Sequence, residues 1–187
     1  MNENIKYTYW SWPKIFSHND LLSLHEICNK NFIKDAVDDY ATDAVKTSKV
    51  KMIQWFNLKN KLYNVEQAFL NIAGTQFGYN VWPQYDNQYV LMNEYNDKDK
   101  SEYGWHNDAT SSLKYDVKLT MLINISLNPY KGGKFYLFDS KGGTHLKQLD
   151  NPGDVLFFTS QQFHKVTPVT KGTRHSLTLF YNGPRFT

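Results

Sequence analysis

Lys118-Leu-Thr-Met-Leu-Ile-Asn-Ile-Ser-Leu127 alternates with a period of two. Successive side chains of a strand point to opposite sides of its sheet. Leu119, Met121, Ile123, Ile125 and Leu127 therefore share one wholly apolar face, suited to packing on helices. Thr120, Leu122, Asn124 and Ser126 share a mixed face, suited to a polar pocket, which makes Asn124 a candidate pocket residue.

The chain on either side of this run falls into two textures. Toward the N-terminus the period is helical. Leu21, Leu22, Leu24, His25, Ile27 and Cys28 recur at helix spacing over about Asn19–Phe32, with Ser17 or Asn19 as N-cap. Leu62, Val65, Phe69, Leu70 and Ile72 repeat the pattern over about Leu58–Phe77, ending at Gly74 or Gly78. Val50–Phe56 reads as a short strand between them. After Pro83 the pattern becomes short strands divided by Gly, Asn, Asp and Pro: Gln88–Tyr95, Val117–Leu127, Lys134–Phe138, Thr144–Leu149, Val155–Thr159, Lys165–Val169 and Arg174–Tyr181. Seven short strands at this spacing suggest a sandwich or barrel. The expectation is one domain over 1–187, with a helical buttress and edge strands over 1–82 and a β core over 83–187.

Composition narrows the class. With 187 residues, 41% hydrophobic and 16% aromatic, the chain can bury a core. The net charge of +3 comes from scattered Lys and Arg, a solvated surface rather than a nucleic-acid footprint. One cysteine, Cys28, excludes an internal disulfide and a cysteine-rich zinc site. Met1-Asn-Glu-Asn-Ile-Lys6 lacks the basic start and apolar run of a signal peptide, and no apolar stretch approaches a membrane span. A cytoplasmic protein is the simplest expectation. The oligomeric state is not readable.

Chemistry is concentrated in three places. Tyr103-Gly-Trp-His106-Asn-Asp108 places an imidazole and a carboxylate two residues apart, a spacing that brings both to one side of an extended segment. His-X-Asp alone is weak, because six histidines and 18 acidic residues give roughly 0.6 accidental matches. His18-Asn-Asp20 is such a match, with Asp20 better placed to favour a helix N-terminus. His164 gives the later motif its weight. It follows the core strand Val155–Thr159, from which an imidazole can reach a metal held by an opposite strand. Two histidines and a carboxylate on one face of a metal suit Fe(II), although zinc would accept the same set. Of the other histidines, His25 falls in a helix's apolar set, and His145 has no ligand partner nearby. His175 points away from Arg174 and Ser176.

Arg174, Ser176 and Thr178 share one face of the last strand. A guanidinium inside a barrel is costly unless it meets an anion. Its fork fits a carboxylate through two parallel hydrogen bonds, and the Ser176 hydroxyl can add a third. The partner is either a ligand carboxylate or a protein Asp or Glu, unless the side chain is exposed at a barrel end. Tyr95 could donate its phenol to the same anion or serve as a core tyrosine.

In this order the pieces resemble the Fe(II)/2-oxoglutarate-dependent dioxygenases, in their prolyl 4-hydroxylase-like branch. The resemblance runs from Gln88 to Pro184. It comprises Tyr95, the His106 motif, Leu127-Asn-Pro-Tyr-Lys-Gly-Gly-Lys-Phe135, Gly153-Asp-Val-Leu-Phe-Phe158 and His164-Lys-Val-Thr-Pro-Val-Thr-Lys-Gly-Thr-Arg174-His-Ser176. It implies a mainly β fold with N-terminal helices: a double-stranded β-helix, or jelly roll, with helices packed on the major sheet. It further implies Fe(II) on His106, Asp108 and His164, and 2-oxoglutarate with its distal carboxylate on Arg174. O2 would be co-substrate, and ascorbate or another reductant would keep the iron ferrous. The implied activity is hydroxylation of an unactivated C–H, in a peptidyl prolyl or related side chain. The alternatives are a free small molecule, an alkylated nucleic-acid base, or a non-catalytic metal- or ligand-binding barrel. The base is disfavoured because only Arg185 follows Arg174. Trp105, the polar loop Asn96–Glu102 as a lid, and Tyr7, Tyr9, Trp10 and Trp12 are further candidates to face a substrate.

Overall fold

The computed structural model describes residues 8–35, 45–112 and 114–185. Its elements in chain order are β1 (Tyr9–Trp12), α1 (His18–Asn31), β2 (Phe32–Asp35), β3 (Lys49–Gln54), α2 (Trp55–Ile72), β4 (Tyr89–Asn96), β5 (Tyr103–His106), β6 (Asp116–Asn124), β7 (Lys131–Gly132), β8 (Phe135–Leu137), β9 (Thr144–His145), β10 (Val155–Thr159), β11 (His164–Val166), β12 (Val169–Lys171) and β13 (Thr173–Gly183). A seven-stranded antiparallel sheet runs β1-β10-β6-β13-β4-β3-β2. A four-stranded sheet, β5-β11-β8-β9, faces it, and β7 pairs with β12. Two antiparallel sheets with helices on the larger one make the jelly roll that the family resemblance implied.

The alternation of β6 decides which side is which. Leu119, Met121 and Ile123 are buried against α1 and α2, in a core with Leu24, Leu58, Leu62, Phe69, Phe157, Leu177 and Leu179. The opposite face turns toward the small sheet, where Leu122, Phe135, Leu156 and Phe158 form a second core. Strands β1, β2 and β3 come from the first 82 residues yet extend the same large sheet. Trp10 and Trp12 pack on the helix-side core and Tyr9 on the inter-sheet core, so these aromatics close the interior. Tyr7 lies outside the described residues.

Local chemistry sets the boundaries. Ser17 caps α1 through a capping box: its hydroxyl accepts from the Asp20 N–H, and its own N–H donates to the Asp20 carboxylate. This is the role of the acidic residue in His18-Asn-Asp20. Helix α2 runs on into a π-turn over Ala73–Phe77 and stops at Gly78, whose left-handed φ of 70° closes the C-cap. The expected strand Thr144–Leu149 is only two residues long. Beyond it, Leu146 and Leu149 are both buried at a spacing of three, and the chain takes a 3₁₀ turn over Lys147–Leu149. The expected strand Lys165–Val169 divides at Pro168, which has no N–H for a ladder.

His175 sits on the helix-side face of β13. Its ring meets that of His25 edge-on at 4.8 Å, and its Nε2 lies 3.4 Å from Glu94. His25 bonds the Ile125 carbonyl through Nε2. Burial, reinforced by His25, pushes the His175 imidazole down to about 4, and burial lowers His25 as well. The folded protein thus resists protonation that the unfolded chain accepts near pH 6.5. For His175, this stability should be full above that pH and fall as pH drops toward 4, by up to about 1.4 kcal/mol per pH unit. Thermal unfolding across this range should show a shallower slope in His175→Gln than in wild type. Equal slopes would remove His175 from the account.

Candidate active site

His106 ends β5, and His164 opens the neighbouring β11 directly opposite it in register. Asp108 follows β5 by two residues, and its N–H donates to the Ser160 carbonyl in the turn before β11. The ligand atoms of His106, Asp108 and His164 lie within 4.8 Å of one another, the only such group among the described residues. Asp108 is 3.7 Å from His106 Nε2 and 3.5 Å from His164 Nε2.

Each imidazole is oriented by its other nitrogen. His106 Nδ1 lies 2.8 Å from the Gly104 carbonyl and His164 Nδ1 3.0 Å from the Gln162 carbonyl. A carbonyl only accepts, so both Nδ1 atoms carry the proton and both Nε2 lone pairs point inward. Burial drives both rings down to about 4, His164 adding to the shift on His106, so they are neutral at physiological pH. Burial raises Asp108, against the lowering pull of His106 and of the Thr120 hydroxyl, which donates to Oδ2 at 2.7 Å. Two neutral nitrogens and a carboxylate, converging and desolvated, fit a divalent cation such as Fe(II).

Aromatic rings wall the metal group. Tyr103 stacks on His106 with centroids 3.4 Å apart, while Phe135 and Phe158 meet His164 at 5.5 and 4.7 Å. Tyr103 and His106 are three residues apart, so strict alternation puts them on opposite faces. The register against β11 slips between them: His106 faces His164, whereas Tyr103 faces Val166. This bulge turns both rings inward. No sequence signal singled Tyr103 out.

The cavity beside the metal group has a lining that includes Tyr95, Arg174, Ser176, Asn93 and Thr178. Arg174 is 1% exposed. Its Nη1 donates to Ser176 Oγ at 3.1 Å, and its guanidinium carbon lies 5.4 Å from the Tyr95 ring centroid. Its Nε has no hydrogen-bond partner, and no described carboxylate pairs with the guanidinium. The protein-carboxylate alternative therefore has no candidate among the described residues. Gly133, at φ +58°, makes room for this side chain, since a Cβ there would sit 3.0 Å from Arg174 Cδ. Asn93, paired in register with Ser176, donates to Thr178 Oγ1 at 3.0 Å. Sequence reasoning passed over Asn93, although its place two residues before Tyr95 on one strand was a usable signal.

Other candidates lie elsewhere. Asn124 is on the cavity-side face of β6 but does not line the cavity. Its amide donates to Tyr130 Oη and the Leu149 carbonyl, and its oxygen accepts from the Ser126 N–H. Trp105 does not line the cavity; its ring packs edge-on against Phe138 and under the Lys165 ammonium. The loop after β4 is tied to itself and to neighbouring backbone at several points. Asp99 bonds Asn96, Asp97 accepts from the Gly172 N–H, and Ser101 accepts from the Val169 N–H. His145 bonds Asp150, away from the metal.

Residues 90–182, half of the chain, match the 2OG-Fe(II) oxygenase superfamily. This half of the chain belongs to that superfamily. Its Fe(II) would be held by the His-Asp-His group, which falls within the matched segment. A PKHD-type hydroxylase of Xylella fastidiosa is 28% identical over 89 residues, 41% of this chain and 37% of that protein. The chain thus spans under two fifths of the length of this curated relative. Among oxygenases of known structure, a Pseudomonas putida prolyl-4-hydroxylase superposes with a TM-score of 0.72 at 15% identity, covering 96% of this chain and 94% of that one. The viral collagen prolyl hydroxylase of Paramecium Bursaria Chlorella virus-1 follows at 0.68 and 16%, covering 95% and 97%. At these identities the likeness is one of fold. No helix among the described residues is long and apolar enough to cross a membrane.

Proposed function

We propose that this protein is an Fe(II)- and 2-oxoglutarate-dependent oxygenase that hydroxylates an unactivated C–H, in a peptidyl prolyl or related amino-acid side chain. The observation that carries the reading is the buried Arg174, without a described protein carboxylate, in the same cavity as the His106–Asp108–His164 group. In this reading the three ligands hold iron, and Arg174 with Ser176 grips the distal carboxylate of 2-oxoglutarate, beside Tyr95. Metal and co-substrate, once bound, supply oxidative decarboxylation to succinate and CO2 and the hydroxylating power.

The protein's own part is positional. The Gly104 and Gln162 carbonyls keep both imidazoles in the ligating tautomer. The rings of Tyr103, Phe135 and Phe158 keep water from the metal's flank. Arg174 fixes one end of the co-substrate so that its other end meets the metal. The prolyl preference rests on the names of the relatives, which are PKHD-type and prolyl hydroxylases.

The test is turnover. With Fe(II), O2 and ascorbate, the protein should convert 2-oxoglutarate to succinate, and a proline-containing peptide panel should yield a product one oxygen heavier by mass spectrometry. Succinate with an oxygenated small molecule or nucleobase, and no peptide product, would reassign the substrate. No succinate with any panel would leave a metal- and ligand-binding barrel.

A further inference from the structure

We propose that Thr120 is a positioning residue for the metal centre, holding the Asp108 carboxylate in its ligating orientation from the opposite sheet. This rests on the reading of His106, Asp108 and His164 as metal ligands. Both imidazoles are steered from within their own segments, each by a carbonyl two residues back. The Asp108 backbone is likewise tied locally, to Ser160. Its carboxylate is held across the barrel instead. Thr120 lies on β6, between β10 and β13, paired in register with Phe158 and Phe180. It is 0% exposed, and its hydroxyl reaches Asp108 Oδ2 at 2.7 Å.

An ionised carboxylate accepts only, so the hydroxyl hydrogen is committed to Oδ2. That bond restrains rotation of the carboxylate plane and uses one lone pair of Oδ2. A strand whose backbone is locked on both sides makes a rigid post for the contact. The alternative role for Thr120 is structural only, a buried hydroxyl finding an acceptor. The two roles differ in what they move. A structural role alters the stability of the metal-free protein, whereas a positioning role alters metal affinity and ligand-field geometry.

The experiment is calorimetric titration of Mn(II) into metal-free wild type, Thr120→Val and Thr120→Ser, with thermal unfolding of each metal-free protein. Absorption spectra of the Co(II)-loaded forms report ligand geometry. Outer contacts of this kind typically carry about 10–100-fold in metal affinity. Thr120→Val should weaken Mn(II) binding by about that factor and shift the Co(II) bands, and Thr120→Ser should restore most of both. Wild-type affinity in Thr120→Val would overturn the proposal. Should that variant not fold, Thr120→Ala takes its place, and Ala binding as tightly as Ser would overturn it equally. If wild type itself takes up no Mn(II), the metal-ligand reading fails first and the proposal with it.

Discussion

Arg174→Ala should lose 2-oxoglutarate affinity by two to three decades or more while keeping its metal. Leaving the co-substrate's distal carboxylate buried without its charge partner costs on the order of 3–5 kcal/mol, and each 1.4 kcal/mol is about tenfold in affinity. Arg174→Lys should fall between, since an ammonium keeps the charge but loses the planar fork. Calorimetric titration of 2-oxoglutarate into the anaerobic Mn(II) protein measures this, and unchanged affinity in Arg174→Ala would place the anion elsewhere. The ligand-free protein should respond in the opposite sense. Arg174 is 1% exposed, its guanidinium having Ser176 and the Tyr95 ring as neighbours and an unpartnered Nε. Replacing it by a side chain of similar volume, Arg174→Met, should leave the unfolding midpoint equal or higher, because a buried charge without an ion partner does not favour folding. A large fall in that midpoint would mean that the guanidinium serves the fold rather than a ligand.

The second large effect concerns the ligands. Mn(II) or Fe(II) at about a thousand times its dissociation constant should stabilise wild type by roughly 4 kcal/mol, on the order of 10 °C in unfolding midpoint for a chain of this size. His106→Ala and His164→Ala should abolish that shift and all turnover, because each removes one of three converging donors. His18→Ala should keep both, since His18 opens α1 and belongs to no cluster of ligands among the described residues. Full metal affinity in His164→Ala would sink the assignment.

The helices, the long strands and the grouping of His106, Asp108 and His164 could be read from the chain because each rests on local periodicity or on residue type. Helix α1 begins where Ser17 and Asp20 form a capping box, and Val155–Thr159 is a strand with the expected ends, since its apolar run is bounded by turn chemistry. Alternation along β6 and β13 sorted helix-facing from cavity-facing residues, placing His175 and Arg174 on opposite sides. That logic holds wherever pairing is regular.

It stops where pairing is irregular or where two sheets meet. Tyr103 stacks on His106 only because β5 bulges against β11, a slip that is a property of the pair and invisible in either strand alone. Thr120 and Asn124 share the mixed face of one strand. Yet Thr120 reaches Asp108, whereas the turn carrying Tyr130 and Leu149 takes up the Asn124 amide. The side toward which each residue points follows from the sequence, because a strand's period is local. Which partner it meets there was decided by the tertiary structure, because that partner arrives from a different sheet.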